Sequence, residues 1–131
     1  HEPSTALELT YYGLKPLVWR ASTVSGLVAS ARGAFYLYGG LQLRFALPYD
    51  VAASPSVSVG VYGAGSGLDL GHSLEFRSAL LLEVPVSSRI RVSAVFFHLS
   101  NAGLGARNPG VEGAGLGVSF VPQEAILNWI L

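Results

Sequence analysis

From Phe35 to Leu47 the chain alternates between two kinds of side chain. Phe35, Leu37, Leu41, Leu43, Phe45 and Leu47 fall on one side, and Tyr36, Tyr38, Gln42 and Arg44 on the other. A period of two is the mark of an extended strand whose faces meet different surroundings. The pattern returns along nearly the whole 131-residue sequence. Leu74, Phe76, Leu80, Leu82 and Val84 oppose Glu75, Arg77 and Glu83, while Ile90, Val92, Ala94 and Phe96 oppose Arg89, Arg91 and Ser93. Val57, Val59 and Val61 alternate with Ser56, Ser58, Gly60 and Tyr62; Leu7, Leu9 and Tyr11 alternate with Ala6, Glu8 and Thr10; Leu17, Trp19 and Ala21 alternate with Arg20 and Ser22. Seven strands are expected, over 5–13, 17–30, 33–47, 55–64, 73–84, 89–100 and 111–121. Pro16, Pro48, Pro55, Pro85 and the glycine-rich stretches are read as turns between them. The tail 123–131 is either an eighth strand or a short helix opened by Pro122.

Half of the residues are hydrophobic, only 12% are charged, and mean hydropathy is +0.46. No uninterrupted apolar run reaches the roughly 18–20 residues that a membrane-spanning helix needs. High hydropathy carried by alternating strands points to a barrel, because a closed sheet satisfies its own backbone in lipid. The polar face collects Arg20, Arg44, Glu75, Arg77, Glu83, Arg89 and Arg91. In a soluble, lipocalin-like cup these charges would point outward. In a membrane barrel they would fill the interior as ion pairs. Their balanced sign, the near absence of lysine and the length of the strands favour the second arrangement. So do aromatic residues near strand ends, such as Tyr11, Tyr12, Trp19, Phe35, Tyr49, Phe120 and Trp129. The expected fold is a single all-β domain over 1–131, a small antiparallel transmembrane β-barrel of eight strands. The segments 63–71 and 101–110 read as long loops at one end, and 85–88 as a tight turn at the other. Carried back along the chain, this alternation puts the start of the first strand at the long-loop end.

Eight basic and eight acidic side chains give zero net charge without a block of either sign, so no nucleic-acid footprint exists. The absence of cysteine removes disulfides and thiolate metal sites, and three scattered histidines do not suggest a metal cluster. No metal or cofactor is expected. The sequence lacks methionine and begins at His1 without a leader pattern, as expected of a chain whose signal peptide has been removed. Nothing in the composition fixes the oligomeric state, and a homodimer is one alternative.

The segment His98-Leu99-Ser100-Asn101-Ala102-Gly103, followed by Asn108-Pro109-Gly110-Val111-Glu112, carries the chemistry. Parity places His98 and Ser100 with Val92 and Phe96 on the apolar face, and Glu112 and Ala114 with Leu116 and Val118. Glu8, Glu75 and Glu83 fall on the polar face; Glu112 does not. Polar groups on an apolar face need one another as partners. Neighbours two apart on a strand are about 7 Å apart at Cα, and cross-strand neighbours about 5 Å. A hydroxyl, an imidazole and a carboxylate at such spacings are the parts of an activated serine. The bland alternative is a polar rim on the outer wall, and His72 is read as an ordinary loop residue.

The segment HLSNAG…NPGVEG, with HSLEFRSALLLEV before it, resembles the PagL-type lipid A 3-O-deacylases. The resemblance is strongest from His72 to Pro122 and fades toward the N-terminus. It implies an eight-stranded outer-membrane barrel with a Ser-His-Glu triad on its outer wall. Ser100 would be the nucleophile, His98 the general base and then acid, and Glu112 the orienting carboxylate. Asn101 belongs to the same H-x-S-N motif, and the Gly103 amide and Asn108 side chain match the family's candidates for oxyanion stabilisation. The implied partner is lipid A of lipopolysaccharide in the outer leaflet, with membrane lipid around the wall. A non-catalytic structural or adhesive barrel and a soluble lipid carrier are the competing readings. The chain departs from the family in its short length, its first strand and its Trp129-Ile130-Leu131 ending.

Overall fold

The computed structural model describes residues 5–13, 17–65, 73–105 and 110–120. Among these, the chain is all-β apart from a single 3-10 turn at Pro48–Asp50. The strands are β1 (Ala6–Tyr12), β2 (Ala21–Ser30), β3 (Phe35–Leu43), β4 (Phe45–Ala46), β5 (Ala52–Gly63), β6 (Leu74–Pro85), β7 (Ile90–Ser100) and β8 (Val111–Phe120). They form one antiparallel sheet in the order β1-β2-β3-β5-β6-β7-β8, with β4 paired to β5. Four of the seven expected strands lie within two residues of their expected bounds, and the expected strand 33–47 is divided into β3 and β4. The tail 123–131 lies outside the described residues, as do Pro16, His72 and Asn108.

Two expectations are corrected. The second strand starts at Ala21, not at residue 17, because residues 17–20 reverse the chain. Trp19 adopts a left-handed φ of 50°, Val18 bridges back to Ala21, and the Ala21 amide donates to the Val18 carbonyl at 2.9 Å. Pro55 is not a turn but an internal residue of β5, whose partner on β6 is Leu80. Proline has no N–H to give the ladder, so an internal strand carrying one must lose a bond somewhere. The loss falls on the β3 side. Gln42 pairs with Ser56 and Phe45 with Ala53, and the ladder is interrupted between them, which separates β4 from β3 without changing register.

The sheet curls into a half-barrel. β1 and β6 lie four strands apart in the sheet order, roughly 19 Å if the sheet were flat. Yet Arg77 Nη2 on β6 lies 3.1 Å from Glu8 Oε1 on β1. The concave side holds the charged residues. Arg77 is only 5% exposed, and its guanidinium stacks on Tyr38 at 4.7 Å and Phe97 at 5.3 Å. Tyr38 donates its hydroxyl proton to Glu8, and Thr10 adds a bond to the same oxygen at 3.3 Å. A second pair, Arg44 Nη1 to Glu83 Oε1, spans 3.0 Å. Glu75 is fully buried, and its carbonyl accepts the Tyr36 hydroxyl at 2.8 Å.

The convex side is apolar. Leu7, Leu9, Leu37, Val57, Val59, Phe96, Leu116 and Val118 are all exposed, Leu116 to 92%. Charges inside and aliphatic side chains outside are the reverse of a lipocalin-like cup. This is the distribution that a barrel needs in hydrocarbon. At the β1–β2 end, Trp19 meets Phe45 edge-on at 6.2 Å with Arg20 over both rings, and Arg89 covers Phe120 at 4.8 Å. The Ala6 end of β1 lies at the opposite end, with the loops after Gly63 and Ser100, as the loop lengths predict.

Candidate active site

β7 and β8 are joined by the loop 101–110, and their pairing sets His98 directly opposite Glu112. His98 Nδ1 lies 3.9 Å from Glu112 Oε1. Both side chains stand on the convex wall, 50% and 86% exposed. Leu99 and Asn101, on the other parity, are buried. Ser100 is half-buried and shares the parity of His98, two residues nearer the loop. Parity within the strands thus places all three side chains on the wall expected from the alternation. The structure brings His98 and Glu112 to the outer limit of an ion pair and sets Ser100 on the next row.

That next row has an unusual member. Continuing the β7–β8 register by one residue brings Gly110 opposite Ser100. A Cβ built on Gly110 would lie 3.2 Å from His98 Cε1 and 3.8 Å from Nε2. The Cε1–Nε2 edge of the imidazole therefore leans toward the row of Ser100, while Nδ1 faces the carboxylate. On the side away from the loop the wall turns apolar at once. The successive rows are Leu80-Phe96-Ala114, Leu82-Ala94-Leu116 and Val84-Val92-Val118.

A family model for lipid A 3-O-deacylase (PagL) matches residues 10–121, from within β1 to just past β8. The chain belongs to the lipid A 3-O-deacylase family. Searches of curated proteins and of solved structures returned no match.

For a lipid A 3-O-deacylase, the loop after Ser100 bears directly on how an oxyanion could be held. Asn101 is fully buried, and its Oδ1 accepts the Gly103 amide at 2.9 Å. The Leu104 amide donates to the Asn101 carbonyl at 3.0 Å. Ala102 and Gly103, at φ 55° and 83°, are both left-handed, as in a type I′ turn. Asn101 is therefore a turn-former folded into the loop. The Gly103 amide, an oxyanion candidate by resemblance, is engaged by Asn101 in this structure. Asn108, the other candidate, lies outside the described residues.

One polar residue of this wall escaped the sequence reading. Ser78 on β6 is the cross-strand partner of His98 on the side away from Glu112, so Ser78, His98 and Glu112 form one row over three strands. Ser78 is exposed. The signal was present: Leu74, Phe76, Leu80, Leu82 and Val84 run along one side, with this single hydroxyl among them.

Proposed function

We propose that this chain is an outer-membrane serine esterase that hydrolyses the 3-O-linked acyl ester of lipid A. In this reading Ser100 is the nucleophile, His98 the general base and Glu112 the orienting carboxylate. The observation that carries it is the in-register His98–Glu112 pair on an apolar, outward-facing wall. An imidazole and a carboxylate on such a wall have each other as the nearest means of offsetting desolvation in lipid. The apolar rows beside them offer hydrocarbon contact to an acyl chain whose ester reaches Ser100.

The chemistry follows from the orientation of the ring. Glu112, closing from 3.9 Å, accepts a hydrogen bond from His98 Nδ1–H and so leaves the Nε2 lone pair available. Nε2 takes the Ser100 proton as Oγ attacks the ester carbonyl. The tetrahedral intermediate collapses, and Nε2 returns the proton to the departing sugar alkoxide. Water, deprotonated by the same nitrogen, then cleaves the acyl-enzyme to free the fatty acid and restore Ser100. Donors to the oxyanion come from the loop 101–110; for Gly103 to serve, its amide must exchange Asn101 Oδ1 for the substrate oxygen.

A second nucleophile assignment has its own observation, since Ser78 is the direct cross-strand neighbour of His98. The lean of the imidazole toward Gly110 favours Ser100, whose row Gly110 shares. Mass analysis of lipid A from cells producing the wild type, Ser100→Ala or Ser78→Ala tests the whole reading. Loss of one 3-O acyl chain with the wild type and Ser78→Ala, and full acylation with Ser100→Ala, is the expected outcome. Equal acylation in cells with the wild type and with Ser100→Ala overturns the substrate assignment.

A further inference from the structure

Gly110 has no assigned part in the reaction, yet it borders the working edge of the imidazole. We infer that Gly110 is a positioning residue, whose missing side chain leaves the notch in which the His98 ring settles beside Ser100. The inference rests on the proposed Ser100–His98–Glu112 reading and deepens it.

Three observations converge on this residue. Its φ of +65° lies in the left-handed region, which glycine enters without steric cost. Continuing the β7–β8 register by one residue puts its backbone opposite Ser100, next to the His98–Glu112 row. The notional Cβ meets His98 Cε1 and the Leu99 carbonyl oxygen, each at 3.2 Å. That spacing is tighter than ordinary van der Waals contact, and the Leu99 carbonyl is fixed in the strand. The freer neighbour is the imidazole, and it would have to yield by a few tenths of an ångström.

The direction of that displacement gives it a functional consequence. The notional Cβ lies beside the Cε1–Nε2 edge, and the Glu112 carboxylate faces Nδ1 at the other side of the ring. A side chain at 110 therefore pushes on the edge that must reach Ser100 Oγ. Misplacement of a catalytic group by about 1 Å costs on the order of 100-fold in rate, so a shift of a few tenths should cost roughly tenfold. Substrate affinity, supplied by the apolar rows farther from the loop, should change little.

The inference is tested with Gly110→Ala and Gly110→Asn in detergent micelles, with wild type and Ser100→Ala alongside. Asparagine tolerates left-handed backbone far better than alanine, so the pair separates strain from crowding. Both variants should fold, as read by heat-modifiable gel mobility. Both should lower kcat for ester hydrolysis roughly tenfold or more with KM within about twofold, and both should slow covalent labelling of Ser100 by a fluorophosphonate. Should Gly110→Ala fail to fold, Gly110→Asn alone carries the test. Wild-type kcat in Gly110→Asn overturns the inference, because glycine would then be needed only for its φ. Hydrolysis that survives in Ser100→Ala overturns the underlying triad reading. Full activity in the Gly110 variants beside an inactive Ser100→Ala overturns this inference alone.

Discussion

Glu8 and Arg77 are 69 residues apart in sequence and meet at 3.1 Å across the concave side of the sheet. Their contact exists only because the sheet curls, and it holds the first strand toward β6. His98, Ser100, Gly110 and Glu112 belong to one hairpin, so curvature and chemistry can be perturbed separately.

The first prediction follows from that separation. Glu8→Ala leaves Arg77 buried without the carboxylate seen here, and breaking such a pair costs about 3–5 kcal/mol. The temperature at which the folded band converts to the unfolded one on gels should fall clearly. Fluorophosphonate labelling of Ser100 in the protein that remains folded should stay near the wild-type rate. Glu8 suits this test because its ion pair with Arg77 joins β1 directly to β6.

Glu112→Gln keeps the shape of the side chain and removes its charge. Replacing a triad carboxylate by its amide lowers kcat by roughly 10⁴-fold in a serine protease, through loss of the correct imidazole tautomer. A fall of at least about 100-fold in ester hydrolysis is expected here, with heat-modifiable mobility unchanged. An active Glu112→Gln enzyme would refute the orienting role of this residue.

Ser78 and Ser100 flank the same imidazole, and they should respond differently to removal of the hydroxyl. Ser100→Ala should abolish both hydrolysis and covalent labelling. Ser78→Ala should retain labelling at Ser100, with hydrolysis within a few-fold of the wild type. Peptide mapping of the fluorophosphonate adduct reads the result, and an adduct on Ser78 reverses the assignment.

The turn after Ser100 gives a fourth test. Asn101→Ala removes the acceptor for the Gly103 amide, a bond worth about 0.5–1.5 kcal/mol to the turn. Hydrolysis should drop because the turn that presents the Gly103 amide loosens, which outweighs the freeing of that amide, while the barrel stays folded because the strands on either side keep their ladder. Ala102→Gly should instead be harmless or stabilising, because φ at this position is 55° and glycine adopts it freely. Micelle assays on both variants against wild type make the comparison.

Strand positions were legible because each strand separates two environments, and a period of two records that separation at every residue. The same parity was enough to put His98, Ser100 and Glu112 on one wall. What stayed illegible depends on relations between strands. Pro55 reads locally as a turn, and its place inside β5 makes sense only beside the interrupted ladder from β3 to β4. Trp19 fits the alternation yet reverses the chain, since nothing in a bulky aromatic residue announces a left-handed φ. The partner of Arg77 required the curvature, which alternation does not encode. Ser78 was visible as an odd hydroxyl in an apolar row, but its meaning needed the register that pairs it with His98.

The convex position of His98, Ser100 and Glu112 decides how a molecule comes to them. The concave side carries charged and aromatic residues, and Ser100, the nucleophile of the proposed reading, is on the other surface, so on that reading substrate need not enter the concave side. On the proposed reading, encounters are lateral: substrate arrives by diffusing within its own leaflet, and turnover follows its surface density there, not its concentration in bulk water. An inhibitor aimed at Ser100 must therefore partition into the bilayer before it can bind, and its apparent potency will scale with the amount of membrane in the assay.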